Sequence, residues 1–235
     1  MDKGIKYIVG IDEVGRGPIA GPVAVCAFLM KDDSFLKNTE DKKPASTQGG
    51  LPKLKDSKKL SKKQREIWFE FLKDAKEKDF CDYEVSFVSS ENIDKFGIAK
   101  CIQKALDKSL MEIEKQNYLN FHRLTQSTGA YTDKNLDSSV LKSPTVSYQI
   151  LLDGGLHAPM EYVNQETIIK GDELHPVISM ASIMAKVTRD RIMTNFALKY
   201  PEYGFEKHSG YGTKAHYDAI KKHGQTPLHR KSFIH

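Results

Sequence analysis

Apolar residues fill positions 7–11 and 23–30 with little interruption, the pattern of two strands buried on both faces, and a glycine-rich turn separates them. Further on the period changes. Ile67, Trp68, Phe71, Leu72 and Ala75 form one helical stripe, opened by Ser61 with Gln64 three residues on, a capping box. Residues 80–88 alternate and predict a third strand. Ser89 or Ser90 then starts a short helical turn that Gly97 closes, and Ile98, Ile102, Leu106, Leu110 and Ile113 give a second amphipathic helix. Residues 148–153 predict a buried strand ending at Asp153, and 166–170 a short one closed by Gly171 and Asp172. Pro176 suits the first turn of a helix that runs to about residue 199 and is mostly apolar. A polar line at 3–4 spacing runs along it: Ser179, Ser182, Lys186 and Asp190. From about residue 200 the chain turns basic and aromatic, with a loop at 204–213 and a helix at 214–223 that Thr213 can cap. Two stretches, about 37–53 and 117–147, show no periodicity and are rich in polar residues, so we expect polar insertions there, loops exposed on the surface. Strands alternating with helices predict a single α/β domain over 1–235, with a helical C-terminal extension from about 200.

Composition narrows the class. With 39% hydrophobic residues, the 235-residue chain can build a core and is not a disordered polymer. A net charge of +5 permits a polyanionic partner without demanding one. The three cysteines, Cys26, Cys81 and Cys101, are scattered in apolar segments with no C-x-x-C pair, which argues for a reducing compartment and against a disulfide framework or zinc site. No secretory signal is evident, and no apolar run reaches the ~20 residues of a membrane span. We expect a soluble, cytoplasmic protein with no membrane association.

The candidate chemistry lies where strands end. Asp12 and Glu13 follow the first apolar run directly, and burial disfavours an unpaired charge. They read either as ordinary acids at a solvated loop end or as oxygen ligands for a hard cation. Gly15-x-Gly17-x-x-Ala20 formally fits a dinucleotide fingerprint, but that motif needs a helix after it, and Pro22 with the β-branched run beyond predicts a strand. The lysines around Lys58 precede a helix start and oppose its dipole, reading either as a solvated basic face or as phosphate contacts. Lys186 and Asp190 could form a surface pair of little worth, or Asp190 could join the acids at the strand ends.

Taken together, D-E-V-G-R-G-P at 12–18, D-S-K-K-L-S at 56–61, L-L-D-G at 151–154, I-I-K-G-D at 168–172, A-S-I-M-A-K-V-T-R-D at 181–190, G-Y-G-T-K-A-H at 210–216 and H-R-K-S-F at 229–233 follow the order found in type 2 ribonucleases H. The chain resembles the bacterial ribonuclease HII family over nearly its whole length outside the two insertions. That resemblance implies an RNase H-like fold, a mixed central β-sheet flanked by helices. It implies four acids, which map to Asp12, Glu13, Asp153 and Asp190, holding two divalent cations, Mg²⁺ or Mn²⁺, with the substrate. No histidine is then required as a base, and the eight histidines read as structural or surface residues. The resemblance also implies that Gly15, Arg16, Gly17 and Tyr211 read a ribonucleotide followed by DNA, since glycines let backbone approach a 2′-hydroxyl and a tyrosine ring packs on a sugar. Lys58 and Lys186 become substrate contacts. The implied substrates are RNA–DNA hybrids and DNA duplexes containing ribonucleotides, cut by a monomer on the 5′ side of the ribonucleotide, leaving 3′-hydroxyl and 5′-phosphate ends.

The chain departs from the family at Ser209, where many relatives carry a lysine, and at Met180, where a small alanine is usual. Gln225, Leu228 and Phe233 have the wrong spacing for a sliding-clamp box. The sister ribonuclease HIII fits less well, because it carries an extra N-terminal domain and lacks the Gly-Arg-Gly turn. A same-fold binding protein without catalysis would not need the four acids, and a sugar-phosphate enzyme would need a phosphate loop that is absent.

Overall fold

The computed structural model describes residues 6–30, 51–127 and 147–234. Five strands form one mixed sheet in the order β3-β2-β1-β4-β5. They are β1 (Lys6–Val14), β2 (Val23–Met30), β3 (Cys81–Val88), β4 (Ser147–Asp153) and β5 (Gln165–Ile168). β1, β2 and β3 pair antiparallel, whereas β1 with β4 and β4 with β5 pair parallel. All eight residues of β2 are buried, as a strand covered on both faces requires.

Helices cover both faces. On one side α3 (Ile98–Ser127) lays Ile102, Leu106, Leu110 and Ile113 against Val9, Ile11, Val25 and Leu152. On the other, α1 (Lys62–Glu77) and α5 (Pro176–Lys199) bury Trp68, Leu72, Ile178 and Met184 against Cys26, Phe28 and Leu151. The capping box at Ser61 and Gln64 is present at the start of α1. Between these elements lie α2 (Ser90–Phe96) and the short α4 (Gly171–Leu174). A third cluster around Tyr203 and Phe205 joins the far end of α5 to the C-terminal segment, which holds α6 (Phe205–His208) and α7 (Lys214–His223).

Two differences from the sequence reading bear on the site. β1 continues through the acids to Val14, because its antiparallel pairing with β2 extends to Val14↔Ala24. α3 runs on to Ser127, eleven residues into the segment expected to be an insertion, where Tyr118, Phe121 and Leu124 recur at three-residue spacing. The remainder of that segment and most of the expected insertion at 37–53 lie outside the described residues. One close approach sets the depth of α5. A Cβ on Gly10 would lie 2.4 Å from the Val177 carbonyl, so the helix start rests directly on β1.

Candidate active site

The parallel ladder between β1 and β4 ends at Ile11↔Leu152, while β1 continues beside β2 alone. Asp12 and Asp153 are therefore the next pair past the last rung. Side chains alternate across a strand, and Ile11 and Leu152 point into the α3 side, so Asp12 and Asp153 both point to the α5 side. Where parallel strands part at their carboxyl ends, a crevice opens; this is where α/β sheets hold ligands. One carboxylate oxygen each from Asp12, Glu13 and Asp153 lie within 4.8 Å of one another.

The surroundings fix these groups. Asp12, only 4% exposed, accepts from the Glu13 main-chain N–H at 2.8 Å and from the Ser182 hydroxyl. Ser182 in turn lies 2.8 Å from the Ser57 hydroxyl. Asp153 Oδ1 accepts from the main-chain N–H of Gly171 at 2.6 Å and of Asp172 at 3.4 Å. Burial pushes the Asp12 carboxyl well above the usual carboxylate range, and Glu13, Asp153 and Asp172 add to it against the Ser182 bond. Burial raises Glu13 as well, with Asp153 adding and Arg16, 3.6 Å away, opposing. Like charges gathered this closely disfavour their own ionisation, and a divalent cation among them would reverse that balance. An all-oxygen donor set suits a hard cation such as Mg²⁺ or Mn²⁺.

Asp190 does not join this group. Its Oδ1 accepts from Lys186 Nζ at 2.8 Å and from the Ser209 hydroxyl at 2.8 Å. Eight residues of helix separate it from Ser182, about 12 Å of rise, so the polar line passes the acids before reaching it. The residue that does face them is Asp172, 3% exposed at the start of α4, whose charge bears on both Asp12 and Asp153. Burial raises its carboxyl, and Lys58 Nζ, 3.2 Å away, opposes that shift. The Gly171-Asp172 step closing the fifth strand was visible in the sequence; the turn that folds it back over β4 was not. Lys170, left-handed at φ 58°, makes that turn.

Lys58 thus faces the acids through Asp172, on a loop whose Asp56 accepts from the Lys58 N–H at 2.8 Å. Lys186, by contrast, is engaged with Asp190. These two line a cavity of about 250 Å³ with Arg65, Lys207, Ser209 and Tyr211. The turn at Gly15, Arg16 and Gly17 does meet Tyr211: a Cβ on Gly17 would sit 3.7 Å from the tyrosine ring. Arg16 and Tyr211 are both exposed, and Arg16 lies 3.6 Å from Glu13. Beneath the turn lie two arginines that sequence reasoning passed over, Arg189 and Arg230, both fully buried. A cation in T-R-D or H-R-K gives no sign of burial in sequence alone.

Among known proteins, the family model described as ribonuclease HII matches residues 9–235. Ribonuclease HII of Endomicrobium trichonymphae is 36% identical over 232 residues, covering 99% of this chain and 87% of its own. Ribonuclease HII of Clostridioides difficile is 37% identical over 233 residues, 99% of this chain and 72% of its own. Among solved structures, the ribonuclease HII described in a PCNA:RNase HII complex from Archaeoglobus fulgidus superposes with a TM-score of 0.59 at 25% identity, covering 98% of this chain and 96% of that one. The mixed sheet with flanking helices is thus RNase H-like.

Proposed function

This chain belongs to the ribonuclease HII family and is a type 2 ribonuclease H, a hydrolase; from that premise we propose that it cuts the RNA strand of RNA–DNA hybrids and nicks DNA duplexes 5′ of an embedded ribonucleotide. The products carry 3′-hydroxyl and 5′-phosphate ends, which suits ribonucleotide excision repair and RNA primer removal. The observation that carries the reading is the group formed by Asp12, Glu13 and Asp153 at the parting of β1 and β4, beside the Gly15-Arg16-Gly17 turn.

Asp12, Glu13 and Asp153, with Asp172 as the fourth acid in place of Asp190, would hold two divalent cations, Mg²⁺ or Mn²⁺, with substrate phosphate completing the site. Bound there, such cations supply positive charge at the scissile phosphate and lower the pKa of an attacking water. The chain's own groups orient the site. Ser182 and the Glu13 amide aim the Asp12 carboxylate, and the Gly171 amide holds Asp153 from behind. Lys58 balances Asp172 and sits where a phosphate would approach. Gly17 beside the Tyr211 ring leaves room for a sugar, so a ribose seated on the turn brings its phosphate over the acids. Lys186, tied to Asp190, is at most a peripheral substrate contact.

We also place the protein in the cytoplasm as a monomer. Its three cysteines are free and buried, as a reducing compartment allows, and among the described residues no helix is long and apolar enough to cross a membrane.

The test is a labelled DNA duplex with one ribonucleotide, incubated with Mg²⁺, with Mn²⁺ and with EDTA. A single nick 5′ of the ribonucleotide is expected with either metal and none with EDTA. Cutting in EDTA would end the metal assignment, and equal cutting of an all-DNA duplex would end the substrate assignment.

A further inference from the structure

Arg189 and Arg230 are each 0% exposed, yet among the described residues the hydrogen bonds they donate go to main-chain carbonyls. Arg230 donates from Nε to Gly21 at 2.9 Å, and from its two terminal nitrogens to Arg16 at 3.1 Å and Gly15 at 2.7 Å. Arg189 donates from Nε to Pro22 at 2.8 Å, and from its terminal nitrogens to Ser209 at 2.9 Å and Ala20 at 3.3 Å. Five of these six carbonyls belong to residues 15–22, and the sixth is two residues before Tyr211. A buried guanidinium is costly unless its donors are answered, so so many carbonyls converging on two of them calls for a reason.

The geometry supplies one. A peptide unit is planar and trans, so its C=O and the next N–H point opposite ways. With the Gly15 and Arg16 carbonyls drawn down onto Arg230, the N–H groups of Arg16 and Gly17 are aimed up, away from the guanidinium. The turn lies directly on the second arginine, since a Cβ on Gly15 would meet Arg189 Nε at 2.3 Å, and Gly15 takes φ +92°. Arg189 also holds Ser209, and a Cβ on Gly210 would lie 2.2 Å from the Ala20 carbonyl, so the Tyr211 loop and the turn are fixed to each other. Only a planar fork with fixed donor directions can hold three carbonyls this way; a lysine offers a single flexible ammonium.

We propose that Arg189 and Arg230 are positioning residues for ribonucleotide selection: by gripping the carbonyls of residues 15–22 they preset the Arg16 and Gly17 amides and the Tyr211 ring as one rigid surface, which fixes where a lone ribose seats relative to the acids. This rests on the function proposed above. It predicts a selective defect. In a continuous hybrid every sugar carries the hydroxyl, so a loosened turn still meets one in another register. With a single ribonucleotide there is no second register.

The experiment compares wild type with Arg230→Lys and Arg189→Lys on two substrates, a duplex with one ribonucleotide and a continuous RNA–DNA hybrid, mapping cut positions and separating kcat from KM. For the single ribonucleotide, kcat/KM should fall at least about tenfold and the cut should spread to neighbouring positions, while the hybrid stays within about threefold of wild type. Phe233→Leu, which removes the ring 5.3 Å from the Arg230 guanidinium but keeps both arginines, should show the same selectivity loss in milder form and covers the case of an arginine variant that folds poorly. An equal fall on both substrates with an unchanged cut position would mean plain structural support and would overturn the proposal, as would no change on either. A wild-type protein that cuts neither substrate would instead overturn the function itself, and the positioning role with it.

Discussion

The two halves of the site treat buried charge in opposite ways. At the parting of β1 and β4, Asp12, Glu13 and Asp153 crowd together, and the neighbours that answer them are one arginine, one serine and a few amides. Under the adjacent turn lie two buried positive groups, and burial first, then the charge of Arg189, lowers Arg230 to about 9. Yet each of the six guanidinium nitrogens there donates to a main-chain carbonyl. The first half is short of positive charge and can gain from a cation. The second is complete without one. A buried charge left short marks where a ligand enters; a buried charge fully answered marks what holds the frame.

The largest effect should come from breaking the first half. Asp12→Asn and Asp153→Asn each keep shape and hydrogen bonding but remove a ligand charge, and nuclease activity should fall by at least about a hundredfold. Melting temperature in EDTA should hold steady or rise in Asp12→Asn, because the wild-type carboxylate is buried among like charges. Asp172→Asn should cost at least about tenfold in activity. Thermal melting with and without Mn²⁺ provides the check, since wild type should gain stability from the metal and these variants should gain less. An Asp12→Asn enzyme cutting at the wild-type rate would sink the acid-group reading.

How much of this was legible in sequence follows the same division. Strand-end acids show themselves, because a carboxylate after an apolar run stands out: Asp12, Glu13 and Asp153 could be picked out that way as candidates, while their grouping as one metal set came from the family resemblance. The boundaries of α5 at Pro176 and of α7 at Thr213 could be read from a proline at the first turn and a capping hydroxyl. Asp190 was put with the acids by the resemblance and by the polar line of α5; helical periodicity identifies a shared face but says nothing about distance along it, and of the two residues on that line it is Ser182 that bonds Asp12. Asp172 was hidden by a left-handed turn at Lys170, a conformation no sequence rule demands of lysine. Arg189 and Arg230 were hidden because their partners are main-chain carbonyls, which every sequence carries everywhere.

A smaller effect should separate the halves by pH. Beneath the Tyr211 loop, His216 Nδ1 lies 2.8 Å from the Tyr211 carbonyl and its Nε2 lies 3.1 Å from His229 Nε2, with His208 stacked at 4.4 Å. Burial lowers His216 to about 4, and the neighbouring histidines add to that against the Tyr211 bond. Below pH ~6.5 the unfolded chain takes up a proton that the folded chain refuses, so stability is lost as pH falls from about 6.5 towards 4. Between pH 7.5 and 5 the wild-type melting temperature should lose roughly 3–6 °C more than that of His216→Gln. Parallel pH curves for the two proteins would remove the histidines from this role.

The smallest effect belongs to the acid that stands apart. Lys186 and Asp190 form a partly buried pair one helical turn apart, with lysine on the N-terminal side, the less favourable order against the helix dipole. A double-mutant cycle on Lys186→Ala and Asp190→Ala should therefore return a coupling of only about 0.5 kcal/mol. Activity should also be little changed: Asp190→Asn keeps an oxygen for the Ser209 hydroxyl and leaves the acid group untouched, so cleavage should stay within about threefold of wild type. Set against Asp172→Asn on the same substrate, this is the sharpest discrimination between two acids that look equivalent in sequence. A loss in Asp190→Asn as deep as in Asp12→Asn would return Asp190 to the metal site and overturn the assignment of Asp172 as the fourth acid.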